Sequence, residues 1–128
     1  MMKLIPGEQG FTLIELIAVL VILSILTAIA IPRYISIDES ARQRAIDAGI
    51  AELNGRETLT WSNMKITITG YVDDLTLFST LNTTLGTDYS WQGGPPARSG
   101  GTLRFKESIL VPLTRTESTF IKPGYWSR

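Results

Sequence analysis

Hydrophobic and polar positions divide this chain into three stretches. From Phe11 to Ile31 there are 21 residues, almost all apolar, and Glu15 is their only charge. A helix rises 1.5 Å per residue, so a run of about 20 apolar residues is long enough to span a bilayer. From Ser36 the chain turns polar but stays helix-compatible (SIDESARQRAIDAGIAELNGRE). Ile46, Ile50 and Leu53 recur at helical spacing there, and Trp61 and Met64 extend the same stripe. Acids and bases fill the other face. Gly49 and Gly55 each cost about 1 kcal/mol relative to alanine inside a helix, and Gly55, after Asn54, is a candidate helix end.

Beyond Met64 the pattern changes to strands and turns. Lys65 to Thr69 alternates and is β-branched, which predicts a strand. Asp73 to Leu85 predicts a short helix or a turn-rich connection, with Asp74 as its candidate N-cap. Gly86 to Gly101 is dense in turn residues around Gly93-Gly94-Pro95-Pro96. Thr102 to Lys106 and Ile109 to Thr114 predict a hairpin turning at Glu107-Ser108, in which Pro112 confines the second strand to an edge or a bulge. Ser118 to Ile121 is a candidate last strand. The fold class is α+β: one long N-terminal helix, membrane-type in its first half, packed through its second half on a small antiparallel sheet.

Composition narrows the function. Lys plus Arg is 12 and Asp plus Glu is 12, so a strongly basic whole-chain footprint for nucleic acid is absent. Histidine and cysteine are both absent, which excludes Cys–His and Ser–His catalysis and the commonest metal ligands. Carboxylate-only or Ser–Lys chemistry survives on composition, but nothing in the sequence places such groups together. No enzymatic activity, cofactor or metal site is expected. With no disulfide available, the C-terminal region must be held by packing or by a bound ion.

An acid inside an apolar run is expensive, about 2.5–3.5 kcal/mol at mid-membrane on insertion scales and less near a helix end. Glu15 is therefore a functional candidate that needs a partner. Its setting is a short leader ending in Gly10, then Phe11-Thr12-Leu13-Ile14-Glu15-Leu16, then the apolar helix, then Pro32. Over residues 1 to about 35 this resembles the class III signal and N-terminal helix of type IV pilins and of type II secretion pseudopilins. The resemblance implies a leader at 1–10, cleaved after Gly10 by a membrane peptidase that also N-methylates Phe11. It implies a transmembrane and filament-core helix at 11–35 and a pilin-like globular domain at 36–128. It further implies assembly with copies of itself or other pilins, driven through an assembly platform from the inner membrane into a periplasmic pseudopilus or an extracellular pilus. The partner for Glu15 is then the amine of Phe11 on a neighbouring subunit, since opposite charges attract strongly at low dielectric. A plain first-turn acid favoured by the helix dipole is the competing reading.

Other readings stay open at this level. Pro32 crowds the carbonyl of Ala28 and predicts a kink or loosening; it marks the membrane exit, a site where filament packing melts the helix, or both. Ala28-Ile29-Ala30 has the form of a secretory cleavage site, which would make this a small secreted domain, and a plain membrane anchor fits the apolar run as well. Many members of the family close a C-terminal loop with a disulfide, a pattern this chain departs from. Asp73, Asp74 and Asp88 invite a calcium reading but are expected to be solvated loop acids. Residues 97–128 carry Arg98, Arg104, Lys106, Arg115, Lys122 and Arg128 against Glu107 and Glu117. This local excess could meet DNA in an uptake pilus, but it is expected to be solvated strand faces. Trp91, Tyr125 and Trp126 are expected in the core or along a sheet edge.

Overall fold

The structure is a computed structural model that describes residues 10–128. The expected leader, apart from Gly10, lies outside the described residues. The chain divides into two compact units, one ending at Glu39 and one running from Ser40 to Arg128.

Helix α1 (Leu13–Ile66) begins in the first unit and continues into the second. In the first unit its apolar side chains, from Leu13 to Ile37, are exposed on every side. Ser24 and Thr27 hydrogen-bond back to the carbonyls of Leu20 (2.7 Å) and Leu23 (2.5 Å), so neither hydroxyl is left unpaired in an apolar setting. The helix continues through Pro32 and does not end there.

The second unit holds the rest of the fold. α2 (Asp74–Thr80) is followed by β1 (Tyr89–Trp91), β2 (Gly100–Phe105), β3 (Ile109–Thr116) and β4 (Tyr125–Ser127), an antiparallel meander in sequence order. Ile46 and Leu53 of α1 are fully buried against Leu103, Leu113 and Trp126 of the sheet and Leu81 and Leu85 of the preceding loop. Gly49 lies between them on the same face. A Cβ there would stand 3.0 Å from the Tyr89 ring and 3.3 Å from Leu85, so glycine lets the helix approach the sheet closely. Gly55 does not end the helix.

Several expected elements are corrected. Lys65 to Thr69 is not a strand: α1 takes residues up to Ile66 and a turn follows. Its alternation lines no sheet, because Ile66 and Ile68 are both exposed. The N-cap of α2 is Asp73, whose carboxylate accepts the Thr76 N–H at 2.7 Å, and Asp74 is the first helical residue. The expected turn region from Gly86 hides β1, and the expected strand at Ser118 is a tight turn in which Thr119 and Lys122 bridge. The last strand is β4. The hairpin is present as expected. Its turn puts Lys106 (φ 46°) and Glu107 (φ 60°) in the left-handed region that a primed turn requires. Pro112 lies in a strand that is interior by order. β4 pairs only with Thr114 to Thr116, however, so the outer side of β3 is uncovered at Pro112, where a missing N–H costs nothing.

The C-terminal segment runs back along α1, fastened level by level. Lys65 donates to the Phe120 carbonyl (2.5 Å) and Trp61 to the Thr119 carbonyl (2.8 Å). Asn54 exchanges two hydrogen bonds with the backbone of Trp126 (2.6 and 3.0 Å), which covers the outer edge of β4 as a further strand would. Arg128 reaches Gln43 (2.9 Å) and Asp47 (3.2 Å).

At the centre of this fastening is a buried ion cluster. Arg115 of β3 lies between Glu57 of α1 and Asp74 of α2, with Glu57 and Arg115 side chains wholly inaccessible to solvent. Arg115 donates to both carboxylates, at 2.8 and 2.9 Å for Asp74. Ser118 donates to Asp74 twice, and Trp126 Nε1 donates to Glu57 at 3.1 Å. Gly124 is required alongside, since a Cβ there would collide with Glu57 Oε1 and Arg115 Nη2. Burial opposes ionisation of Asp74, but the hydrogen bonds from Arg115 and Ser118 outweigh it and hold its pKa at about 2. Burial also works against the Arg115 charge; its bonds to Asp74 and Glu57 outweigh that and push its pKa above the usual value. Internal ions tie the C-terminal region down, as a disulfide would in an oxidising compartment.

Candidate functional site

Gly10 and Phe11 precede the first helical turn and are exposed, Phe11 at 85%. Both residues lie outside the helix, and neither is covered by the described residues. Thr12 is the helix N-cap. Its carbonyl accepts the first helical bond, from Leu16 N–H at 3.2 Å. The Thr12 hydroxyl accepts the Glu15 N–H at 3.3 Å, and Glu15 Oε2 accepts the Thr12 N–H at 2.8 Å. This is a reciprocal capping box, Thr-x-x-Glu, satisfying two donors that the helix leaves unbonded. Phe11 and Leu16 occupy the positions of the accompanying hydrophobic staple.

Glu15 is therefore anchored within its own subunit, not merely tolerated there. Its second oxygen, Oε1, accepts nothing among the described residues. The acid also sits in the first helical turn, where a negative side chain complements the positive end of the helix dipole. Thr12 was legible as a site residue from the Thr-x-x-Glu spacing ahead of an apolar run, a signal that reading Glu15 purely as an intermolecular partner passes over. Pro32, on the same helix, has no described partner that ties it to Glu15.

Two comparisons bear on this segment. A family model described as the prokaryotic N-terminal methylation motif matches residues 5–31. The N-terminal segment carries this methylation motif and is similar to that of a type IV pilin. The chain is also similar to the type IV narrow pilus major component PilA5 of Thermus thermophilus, 51% identical over 43 residues. That match covers 34% of this chain and 37% of the relative, so the chain spans little more than a third of the relative's length. No solved structure matches the chain. α1 is long and apolar enough to cross a membrane, by length and composition.

The remaining candidates are redistributed by the fold. Asp74 is not a solvated loop acid, because Arg115 and Ser118 occupy its carboxylate. Asp73 is exposed and caps α2; the Thr76 hydrogen bond lowers its pKa. No cluster of acids suited to a metal occurs among the described residues. Arg115 is not on a solvated strand face, and other bases of its group have acidic partners: Arg98 with Glu117 at 2.9 Å, and Arg128 with Asp47. From outside residues 97–128, Glu57 and Asp74 on Arg115 and Asp47 on Arg128 answer much of the local positive excess. Trp126 is wholly buried, Trp91 packs beside it at 5.6 Å between ring centroids, and Tyr125 is exposed.

Proposed function

We propose that the chain is a structural subunit of a type IV pilus-like filament, made as a membrane-inserted precursor. The observation that carries this reading is the N-terminal segment itself: exposed Gly10 and Phe11, an acid in the first turn with one oxygen unpartnered among the described residues, and an apolar helix that one subunit leaves uncovered on every side. Such a surface is stable only in lipid or against like helices. In this reading a prepilin peptidase cuts after Gly10 and methylates Phe11. The inner membrane stores the subunit, and an assembly platform moves it into the filament. There Glu15 meets the Phe11 ammonium of a neighbouring subunit, and Pro32 lets the helix adapt as subunits pack. The similarity to a Thermus pilus major component supports a pilus rather than a secretion pseudopilus. The role is mechanical, with no turnover of a substrate.

Intact-mass and peptide spectrometry of the protein from its own host tests this reading. The mature chain is expected to begin at N-methylated Phe11, and Gly10 replaced by a bulky residue is expected to leave uncleaved precursor in the membrane. A mature start at Ile31, or an intact Met1, overturns it.

A further inference from the structure

We infer that the Ser40–Arg128 unit carries a lipid-docking surface at the Ile66 end of α1, formed by the α1–α2 connector and the Thr119–Lys122 turn. This goes beyond the polymer reading and does not depend on it. The two segments lie side by side. The Tyr71 hydroxyl bonds the Ser118 carbonyl at 3.0 Å, and Trp61 bonds the Thr119 carbonyl at 2.8 Å. Their most exposed side chains are aliphatic. Ile68 is fully exposed, Ile66 and Ile121 are 83% and 84% exposed, and Val72 stands with them. Less exposed aromatic rings follow: Tyr71 and Phe120 meet edge to face at 6.5 Å between centroids. The Lys65 ammonium sits in that layer, 3.4 Å from the Phe120 centroid and 5.1 Å from that of Trp61. Lys122, beside Ile121, adds a second, exposed cation. Asp73, the exposed acid beside Val72, is engaged as the cap of α2. An apolar patch of this kind marks an interaction site. Protein interfaces deplete lysine from their centres. A bilayer surface fits this order: aliphatic tips in the acyl boundary, rings at headgroup level, and ammonium groups reaching the phosphates. A second copy fits less well. Other exposed large apolar side chains of the unit, such as Leu59, Leu110 and Tyr125, lie on three different elements. Two such patches face to face would bring their lysines together, and like charges repel.

The test keeps the full chain, held in lipid nanodiscs through its apolar run, and adds vesicles. One set is phosphatidylcholine alone and the other is phosphatidylcholine mixed with phosphatidylglycerol. Co-sedimentation of discs with vesicles reads binding, and brominated acyl chains in the vesicles quench tryptophan emission as the patch enters them. The unaltered chain is expected to bind both sets, the anionic one more tightly. Ile68→Asp/Ile121→Asp alters two exposed side chains and is expected to keep the fold, to weaken binding roughly tenfold or more, and to abolish quenching. Lys122→Gln is expected to lose roughly fivefold on the anionic vesicles and nothing on the neutral ones. Leu110→Asp removes an exposed leucine outside the patch and is expected to bind like the unaltered chain. No vesicle binding by the unaltered chain, unchanged binding by the double variant, or an equal loss in Leu110→Asp overturns the inference. Pairing of discs with one another without vesicles, abolished by the double variant, also overturns it and assigns the patch to a second copy.

Discussion

Arg115→Ala is expected to cost about 3–5 kcal/mol of stability, enough to unfold much of the Ser40–Arg128 unit at moderate temperature, since whole domains have only about 5–15 kcal/mol. The cost comes chiefly from what remains. Glu57 and Asp74 would stay buried with no guanidinium between them, and the strap from Ser118 to Trp126 would lose the cluster that organises it. Arg115→Lys keeps a charge but loses the planar fork that serves two carboxylates at once, and is expected to fall between the two. Urea unfolding of the full chain in detergent, followed by tryptophan fluorescence, measures this, because Trp126 donates directly to Glu57. Unchanged unfolding of Arg115→Ala would show that the cluster does not hold the C-terminal region. Acid offers a second probe. The pKa of Asp74 is depressed from 3.8 to about 2, so its contribution is fully present above pH 4 and is lost as pH falls through about 2. The loss amounts to about 2 kcal/mol, and Asp74→Asn is expected to flatten that acid limb. Arg115 adds no pH dependence in this window, because its pKa is displaced upward.

Glu15→Ala is expected to insert into the membrane normally, since it removes a charge from an apolar helix, yet to lower filament yield at least tenfold. A charge-assisted hydrogen bond contributes about 1.5–3 kcal/mol, and every subunit joining the filament would forgo one. Alanine also breaks the capping box, so Glu15→Gln is the informative companion. Its amide oxygen can still accept the Thr12 N–H, but it offers no charge to an ammonium. Equal loss for both variants assigns the effect to the charge. Wild-type yield for Glu15→Gln would reduce Glu15 to a helix cap and return the segment to that of a plain membrane anchor. Shearing cells and comparing filament-bound with membrane-bound protein reads the result directly.

What could be read from the sequence was local in origin. The apolar run, its single acid, the α1 stripe through Ile46 and Leu53, and the β2–β3 hairpin all follow from periodicities that neighbouring residues impose. The methylation segment was legible for the same reason, as a contiguous motif. Lys65 to Thr69 misled because alternation specifies a strand only when a sheet edge receives it, and none does. β1 escaped because three residues in a turn-rich stretch carry too little pattern. Glu57 could have been noticed, since it falls four residues from Leu53 and four from Trp61, on the buried stripe.

The partition is sharpest between Glu15 and Arg115. The sequence by itself determined the cap that holds Glu15, although the reading of Glu15 as an intermolecular partner passed over it: the cap partner is three residues away, and helical geometry brings the two together without help from the rest of the chain. Only the tertiary structure decided what Arg115 does. Its partners Asp74 and Glu57 lie 41 and 58 residues away, and no periodicity links a strand residue to the faces of two different helices. Whether a charge is solvated or buried depends on which elements close over it, and that is fixed by the packing of α1, α2 and the sheet around one another.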